Sequence, residues 1–218
     1  MDERRPFLAW PGWRHLGYTS LLALGTAAWW FALYHGANAI TQRREFRVRL
    51  HLDFEVHIPF VPAAVLLYLS IYPVFWLAPF VLRTRREAQA LALTLIVVVA
   101  FAFVGFLLFP ADSAYAPPGD LGIWTSLVAF AKNVSLPHNF LPSLHVAMCG
   151  VCLLAYARHA PRCGRWLLLL WLASISLSTL LIHEHYLIDV ITGWLLGWLG
   201  IRLVYDPWRS HAGQIAGT

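Results

Sequence analysis

Stretches of about twenty residues almost free of charge recur along this chain, and nothing else in it restricts folding so severely. A helix needs about 20 mostly apolar residues to cross the ~30 Å hydrocarbon core of a bilayer. Inside that core only helices or closed barrels satisfy their own backbone. Such stretches lie at about 16–35, 58–82, 90–109, 141–157, 166–182 and 186–205. The expectation is an all-α polytopic membrane protein, a six-transmembrane-helix bundle. Residues 1–218 then form one membrane domain, with a short N-terminal segment (1–15) and a polar C-terminal tail (206–218) of little core-forming capacity. Composition agrees, because only 12% of residues are charged against about 25% in soluble domains.

Ala37-Asn38-Ala39 follows the first stretch like a signal-peptide cleavage site. The apolar run before it exceeds the usual core of roughly 7–15 residues and carries Trp29, Trp30 and Phe31. A retained first span is the better reading. Cys149-Gly-Val-Cys152 has redox-pair spacing, but it lies within an apolar helix and reads as small packing residues.

The net charge of +5 would suggest nucleic acid in a soluble protein. Here the basic residues sit between spans, so topology and anionic headgroups account for them and no nucleic-acid partner is implied. Arg4, Arg5, Arg14, Arg83, Arg85, Arg86, Arg158, Arg162, Arg165, Arg202 and Arg209 collect on one side. Arg43, Arg44, Arg47, Arg49 and Lys132 fall on the other. Eleven against five puts both termini in the cytoplasm of an inner (plasma) membrane. The basic first external loop is the exception, read as an amphipathic surface segment or as basic for a reason of its own. Residues 110–132 make one long external loop with room for a short interfacial helix.

Two polar clusters interrupt the apolar pattern: Asn139-Phe-Leu-Pro-Ser-Leu-His145 and His183-Glu-His-Tyr-Leu-Ile-Asp189. The topology places both on the external face. His185 and Asp189 are four apart and share a helix face. The carboxylate can fix the imidazole tautomer and leave the other ring nitrogen free and basic. Pro142 suits a first helical turn, and Ser143 with that turn's free N–H groups would make an anion site. His145, one turn in, could donate a proton beside a bound anion.

Pro142-Ser-Leu-His145 resembles the Pro-Ser-x-His motif of the type 2 phosphatidic acid phosphatase superfamily, and His185-Tyr-Leu-Ile-Asp189 its His-x-x-x-Asp motif. The order, separation and six-span frame agree, so the resemblance covers most of the chain. It implies a lipid phosphate phosphatase without metal or cofactor, acting on a phosphatidate- or polyprenyl-diphosphate-like membrane lipid. By resemblance, His185 attacks phosphorus to form a phosphohistidine, Asp189 orients it, His145 protonates the leaving oxygen and Ser143 helps hold the phosphoryl oxygens.

The chain departs from that pattern in two places. The superfamily's phosphatases usually carry a lysine-to-Arg-Pro motif, where this chain reads FPADSAYAPPGD, and an arginine where it has Thr179. A phosphoryl group needs electrostatic stabilisation, so Arg47, Arg49 or Lys132 is expected to supply the missing cation. His183 to Asp189 is also similar to the branch of sphingomyelin and inositol-phosphorylceramide synthases. The alternative is therefore a phosphotransferase passing a phospho-headgroup to a lipid alcohol, and His183, as a substrate contact or an interface residue, is where the two readings part.

Asn139 is a substrate contact or, preferred, a helix N-cap. Glu184 reads as solvated at a loop tip, and Asp53 and Glu55 as balancing the nearby arginines. His15, His35, His51, His57, His159 and His211 read as packing or interfacial residues, and Trp10, Trp13, Trp124, Trp166 and Trp208 as an interfacial belt. A zinc site from His145, His183 and His185 competes poorly, because residues two apart on a helix point away from each other. No internal repeat supports a transporter.

Overall fold

The computed structural model describes residues 6–210, so Arg4, Arg5, His211 and the end of the C-terminal tail lie outside the described residues. It is helical, with no strand among the described residues. Helix α1 runs unbroken over Trp13–Thr41, through the Ala37-Asn38-Ala39 stretch. A chain without helix follows, apart from one tight turn at Glu55–His57, so the basic loop is not an amphipathic helix.

The second apolar stretch forms three short helices, α2 (Val65–Leu69), α3 (Ile71–Trp76) and α4 (Ala78–Val81). Pro73 and Pro79 explain the breaks: neither can donate to the carbonyl four residues back. Neighbours cover the interruptions. Trp171 donates to the Ser70 hydroxyl at 2.8 Å and Tyr156 to the Val74 carbonyl at 2.9 Å.

Helix α5 (Arg85–Leu108) opens on a capping box in which Thr84 accepts from the Glu87 N–H and Glu87 reaches back to Thr84. Helix α6 (Thr125–Val134) is the short helix expected in the long loop. Helices α7 (Leu144–Ala157), α8 (Arg162–Leu181) and α9 (Leu187–Gly200) complete the bundle. A wider turn at Ile201–Tyr205 carries α9 into α10 (Asp206–Ser210). There Arg158 clamps Asp206 through two bonds of 2.8 and 2.6 Å, so residues 206–210 pack on the bundle.

Among the described residues, four helical segments are long and apolar enough to cross a membrane: Trp13–Thr41, Arg85–Leu108, Arg162–Leu181 and Leu187–Ser210. The other two predicted spans hold shorter apolar helices, Pro62–Trp76 and Leu144–Ala157. Helix α7 is short because the helix begins only at the Ser143 cap, after a segment with Pro137 and Pro142. It is nevertheless the axis of the bundle, with eleven of its fourteen residues buried.

The packing of α9 on α7 is closer than side chains normally allow. A Cβ on Gly193 would stand 2.6 Å from the Ser143 carbonyl oxygen, and one on Gly197 2.8 Å from that of Ala147. Glycine spaced by four lets two membrane helices approach backbone to backbone. That approach brings the start of α9 to the start of α7.

Candidate active site

The two polar clusters meet at those helix starts. The Ser143 N–H donates to the Asp189 carbonyl at 2.9 Å, tying the α7 cluster to the α9 cluster through main chain. Ser143 is fully buried and is the N-cap of α7, its hydroxyl accepting from the Val146 N–H at 3.3 Å. Asn139, expected as the cap, lies too early. Its amide instead donates to the Tyr34 carbonyl of α1 at 2.8 Å, leaving its own buried carbonyl oxygen unpartnered. Pro142 likewise stands before the cap, not in the first turn.

His185 and Asp189 face each other, with Nδ1 and Oδ2 3.4 Å apart, outside hydrogen-bond geometry. The same Oδ2 accepts from the Tyr186 N–H at 2.8 Å, while Oδ1 is buried without a partner. The carboxylate is thus fixed by main chain at one oxygen and free to engage the ring of His185. Across the contact His145 stacks on Tyr68, ring centroids 4.0 Å apart, and its buried Nε2 has no partner. Unpartnered nitrogens of this kind are the groups a reactant can engage.

His145, His183, Glu184 and His185 line the polar end of one cavity of about 700 Å³. Lys132 lines it too, donating to Glu184 at 2.8 Å. Glu184 is therefore not solvated at a loop tip: it is buried, 9% exposed, with an ammonium beside it. Arg47 does not line the cavity but bonds to Asp112, which does, at 3.1 Å, and Asp112 also meets His138 at 2.9 Å. Arg49 is not brought to the cavity; its guanidinium pairs with Asp53 in an exposed contact. Thr179, at the missing arginine's position, is buried and donates to the Ser176 carbonyl.

His183 occupies the left-handed region, φ 59°, as the residue that ends α8. Its N–H reaches the Leu180 carbonyl and that of Glu184 the Thr179 carbonyl, a helix stop usually built on glycine. Its ring stacks on Tyr115 at 4.0 Å and its Nε2 meets the Ile58 carbonyl at 2.9 Å. Burial holds its pKa below the usual histidine value. Among the described residues, no three His, Cys, Asp or Glu side chains are grouped to hold a metal ion.

Glu55 was misjudged from sequence. It does not balance the arginines. It is fully buried, one oxygen accepting from the Leu187 N–H at 2.6 Å and the other from the Leu52 N–H at 2.7 Å. It thereby supplies the start of α9 with a negative charge from a distant loop, where the helix dipole favours one. A lone carboxylate between Phe54 and Val56 was the available signal, since a charge among apolar residues at a membrane edge is rarely idle. Tyr68 and Tyr115, which stack on His145 and His183, carried no signal distinguishing them from other span or loop aromatics.

A family model described as the PAP2 superfamily matches residues 46–203, well over half of the chain. No curated protein and no solved structure gives a significant match. The match takes in both polar clusters and every helix from α2 to α9, and leaves α1 outside. The chain belongs to the PAP2 superfamily, whose membership supports a phosphatase-type function on lipid phosphates.

Proposed function

We propose that this membrane protein is a metal-independent lipid phosphate phosphatase working through a phosphohistidine on His185. The observation that carries the reading is the Ser143–Asp189 main-chain bond, which joins the two motif clusters beside one cavity. The Nε2 lone pair of His185 attacks phosphorus as the bond to the leaving lipid oxygen breaks. His145, which carries a proton once the anionic phosphate is bound beside it, gives that proton to the leaving oxygen. Water then loses a proton to His145 and attacks phosphorus, which releases phosphate and restores His185. Asp189 takes up the positive charge that develops on the His185 ring. Ser143 and the free N–H groups at the start of α7 receive the phosphoryl oxygens.

Lys132 is the best placed of the three candidate cations, because it already lines the polar end of the cavity. Arg47, held against the cavity residue Asp112, would meet a headgroup on its way in. By the charge rule both termini are cytoplasmic and the site faces the exterior. A second reading has a specific footing. Thr179 offers no guanidinium, as in the transferase branch, so a lipid alcohol in place of water would make the same intermediate a phosphotransfer.

Purified protein incubated with radiolabelled phosphatidate and a chelator tests the proposal. Label is expected on a histidine, with label and turnover lost in His185→Ala, turnover by about 10³-fold or more. Undiminished turnover in that variant would end the proposal. In the same assay Lys132→Met should weaken substrate affinity about tenfold, the loss of one charge-assisted hydrogen bond; unchanged affinity would remove Lys132 from the site. Phosphate released without any alcohol marks hydrolysis; release only with a lipid alcohol present marks transfer.

A further inference from the structure

The cavity does not end at the catalytic cluster. From Tyr34 at the polar end its wall follows α1 through Trp30, Ala27 and Ala23 to Thr19, fifteen residues away, or about 22 Å at 1.5 Å per residue. Along α7 it passes His145, Met148, Cys152 and Tyr156, and it reaches Leu82 and Ala88 near the opposite membrane face. Below the histidines the wall is nearly all apolar.

Two further observations concern what leaves this space open. Helix α1 packs along α5 and leaves its remaining faces open: 6% of its apolar window is buried, against 39% for α5. It is pinned to α5 by single bonds, Gln89 to the Tyr18 hydroxyl at 2.7 Å and Trp29 to the Ile96 carbonyl at 3.1 Å. On the cavity side it presents small residues, Thr19, Ala23, Thr26 and Ala27, opposite Ala88 and Ala92 of α5. Protein interiors close apolar voids of this size, whereas hydrocarbon fills one without loss of contact.

We infer that this cavity holds the apolar tail of the lipid whose phosphate meets His185, and that α1, the helix outside the family match, measures that tail's length. The inference rests on the phosphatase reading for the headgroup alone. The depth exceeds half of the ~30 Å hydrocarbon core, so the tail runs past the level of one leaflet. Ala27 lies about 10 Å below Tyr34 and Ala23 about 16 Å below it, by the same rise per residue. A short tail passes Ala27 and stops before Ala23; a long one passes both.

Decyl and octadecyl phosphate, presented to the full-length protein in detergent, separate these positions. Ala23→Trp should raise KM for octadecyl phosphate about tenfold more than for decyl phosphate. Ala27→Trp, one turn shallower, should raise KM for both. Equal effects of the two variants at both lengths would overturn the inference. A readout independent of turnover comes from the same phosphates carrying a terminal diazirine. Crosslinks of the long probe should fall on peptides around Thr19, Leu82 and Ala88, and those of the short probe near Ala27 and Trp30. Crosslinks confined to the outward residues Leu21 and Leu24, 70% and 67% exposed, would place the tail in bulk lipid and refute the cavity. Correct crosslinks without hydrolysis of either phosphate would leave the tail site standing and sink the phosphatase reading.

Discussion

Helices α9 and α1 both carry glycines, and what surrounds those glycines differs completely. On α9, Gly193 and Gly197 lie against the main chain of α7 with no room for a methyl group. On α1, Gly17, Gly25 and Gly36 have nothing within 4 Å of where a Cβ would be. One helix meets its neighbour backbone to backbone at its glycines, whereas the other packs along α5 through side chains and leaves its glycines open. The locked contact sets the distance between the Ser143–His145 and His185–Asp189 clusters, and a displacement of about 1 Å in such a site can cost 10²-fold in rate. The side-chain contact tolerates variation, as a wall against a flexible hydrocarbon must. Positioning and accommodation thus fall to different helices.

The contrast is broken most directly at its tight end. Gly193→Ala drives a methyl group into the Ser143 carbonyl, a backbone atom that cannot rotate away. The expected outcome is about a hundredfold loss of kcat with about 1–3 kcal/mol of overpacking strain, measured by turnover and thermal unfolding in detergent. Gly25→Ala, in open space on α1, should leave kcat untouched and Tm level or slightly higher, since alanine is the better helix former. Similar losses from both substitutions would erase the distinction between the helices.

How far the sequence disclosed this arrangement follows from the range over which each signal acts. Apolar length located the long helices, a local consequence of helix geometry. His185 and Asp189, however, do not share a helix face as their spacing suggested: α9 begins only at Leu187, and His185 meets Asp189 from the turn before the Tyr186 cap. The cap of α7 was misplaced: Asn139 was preferred and Ser143 was put in the first turn, whereas Ser143 is itself the cap. The breaks at Pro73 and Pro79 were written in the chain but hidden by unbroken hydropathy. Glu55 and Glu184 were misread because their partners, Leu187 and Lys132, lie 132 and 52 residues away. A buried charge is identified by what pairs with it, and a linear pattern holds no record of that.

Glu55 sharpens the comparison from the loop side, because it acts on α9 and not on α1. It is a positioning residue: it bonds Leu187 and Leu52, not a reacting atom. In Glu55→Gln one of those two N–H groups meets an amide donor in place of an acceptor, at a cost of about 1–3 kcal/mol. Loosening the start of α9 should lower kcat about tenfold while KM stays near its original value. Asp53→Asn, in the exposed pair with Arg49, should change stability by no more than about 0.5 kcal/mol. A rise in KM with kcat unchanged would instead make Glu55 a substrate contact.

The smallest effect concerns His183, which sits where the tight α8–α9 corner meets the rim of the cavity. Burial lowers its pKa below the ordinary histidine value of about 6.5, with Lys132 acting in the same direction and the Ile58 carbonyl and Glu184 against it. The sign follows from which state binds the proton first. Above pH 6.5 the ring is neutral folded or unfolded, and its full contribution to stability is present. As pH falls through 6.5 the unfolded chain takes up the proton before the folded one does, so stability drains away until the lowered folded pKa is passed. His183→Asn keeps a residue that tolerates φ 59° and removes the titration. Its baseline Tm should fall with the loss of the Tyr115 stack. The Tm difference, variant minus wild type, should nevertheless shift in the variant's favour by about 1–2 °C between neutral pH and pH 5. A difference that stays flat across that window would mean the ring is equally easy to protonate in both states, and that the corner is less closed than its contacts with Tyr115 and Ile58 imply.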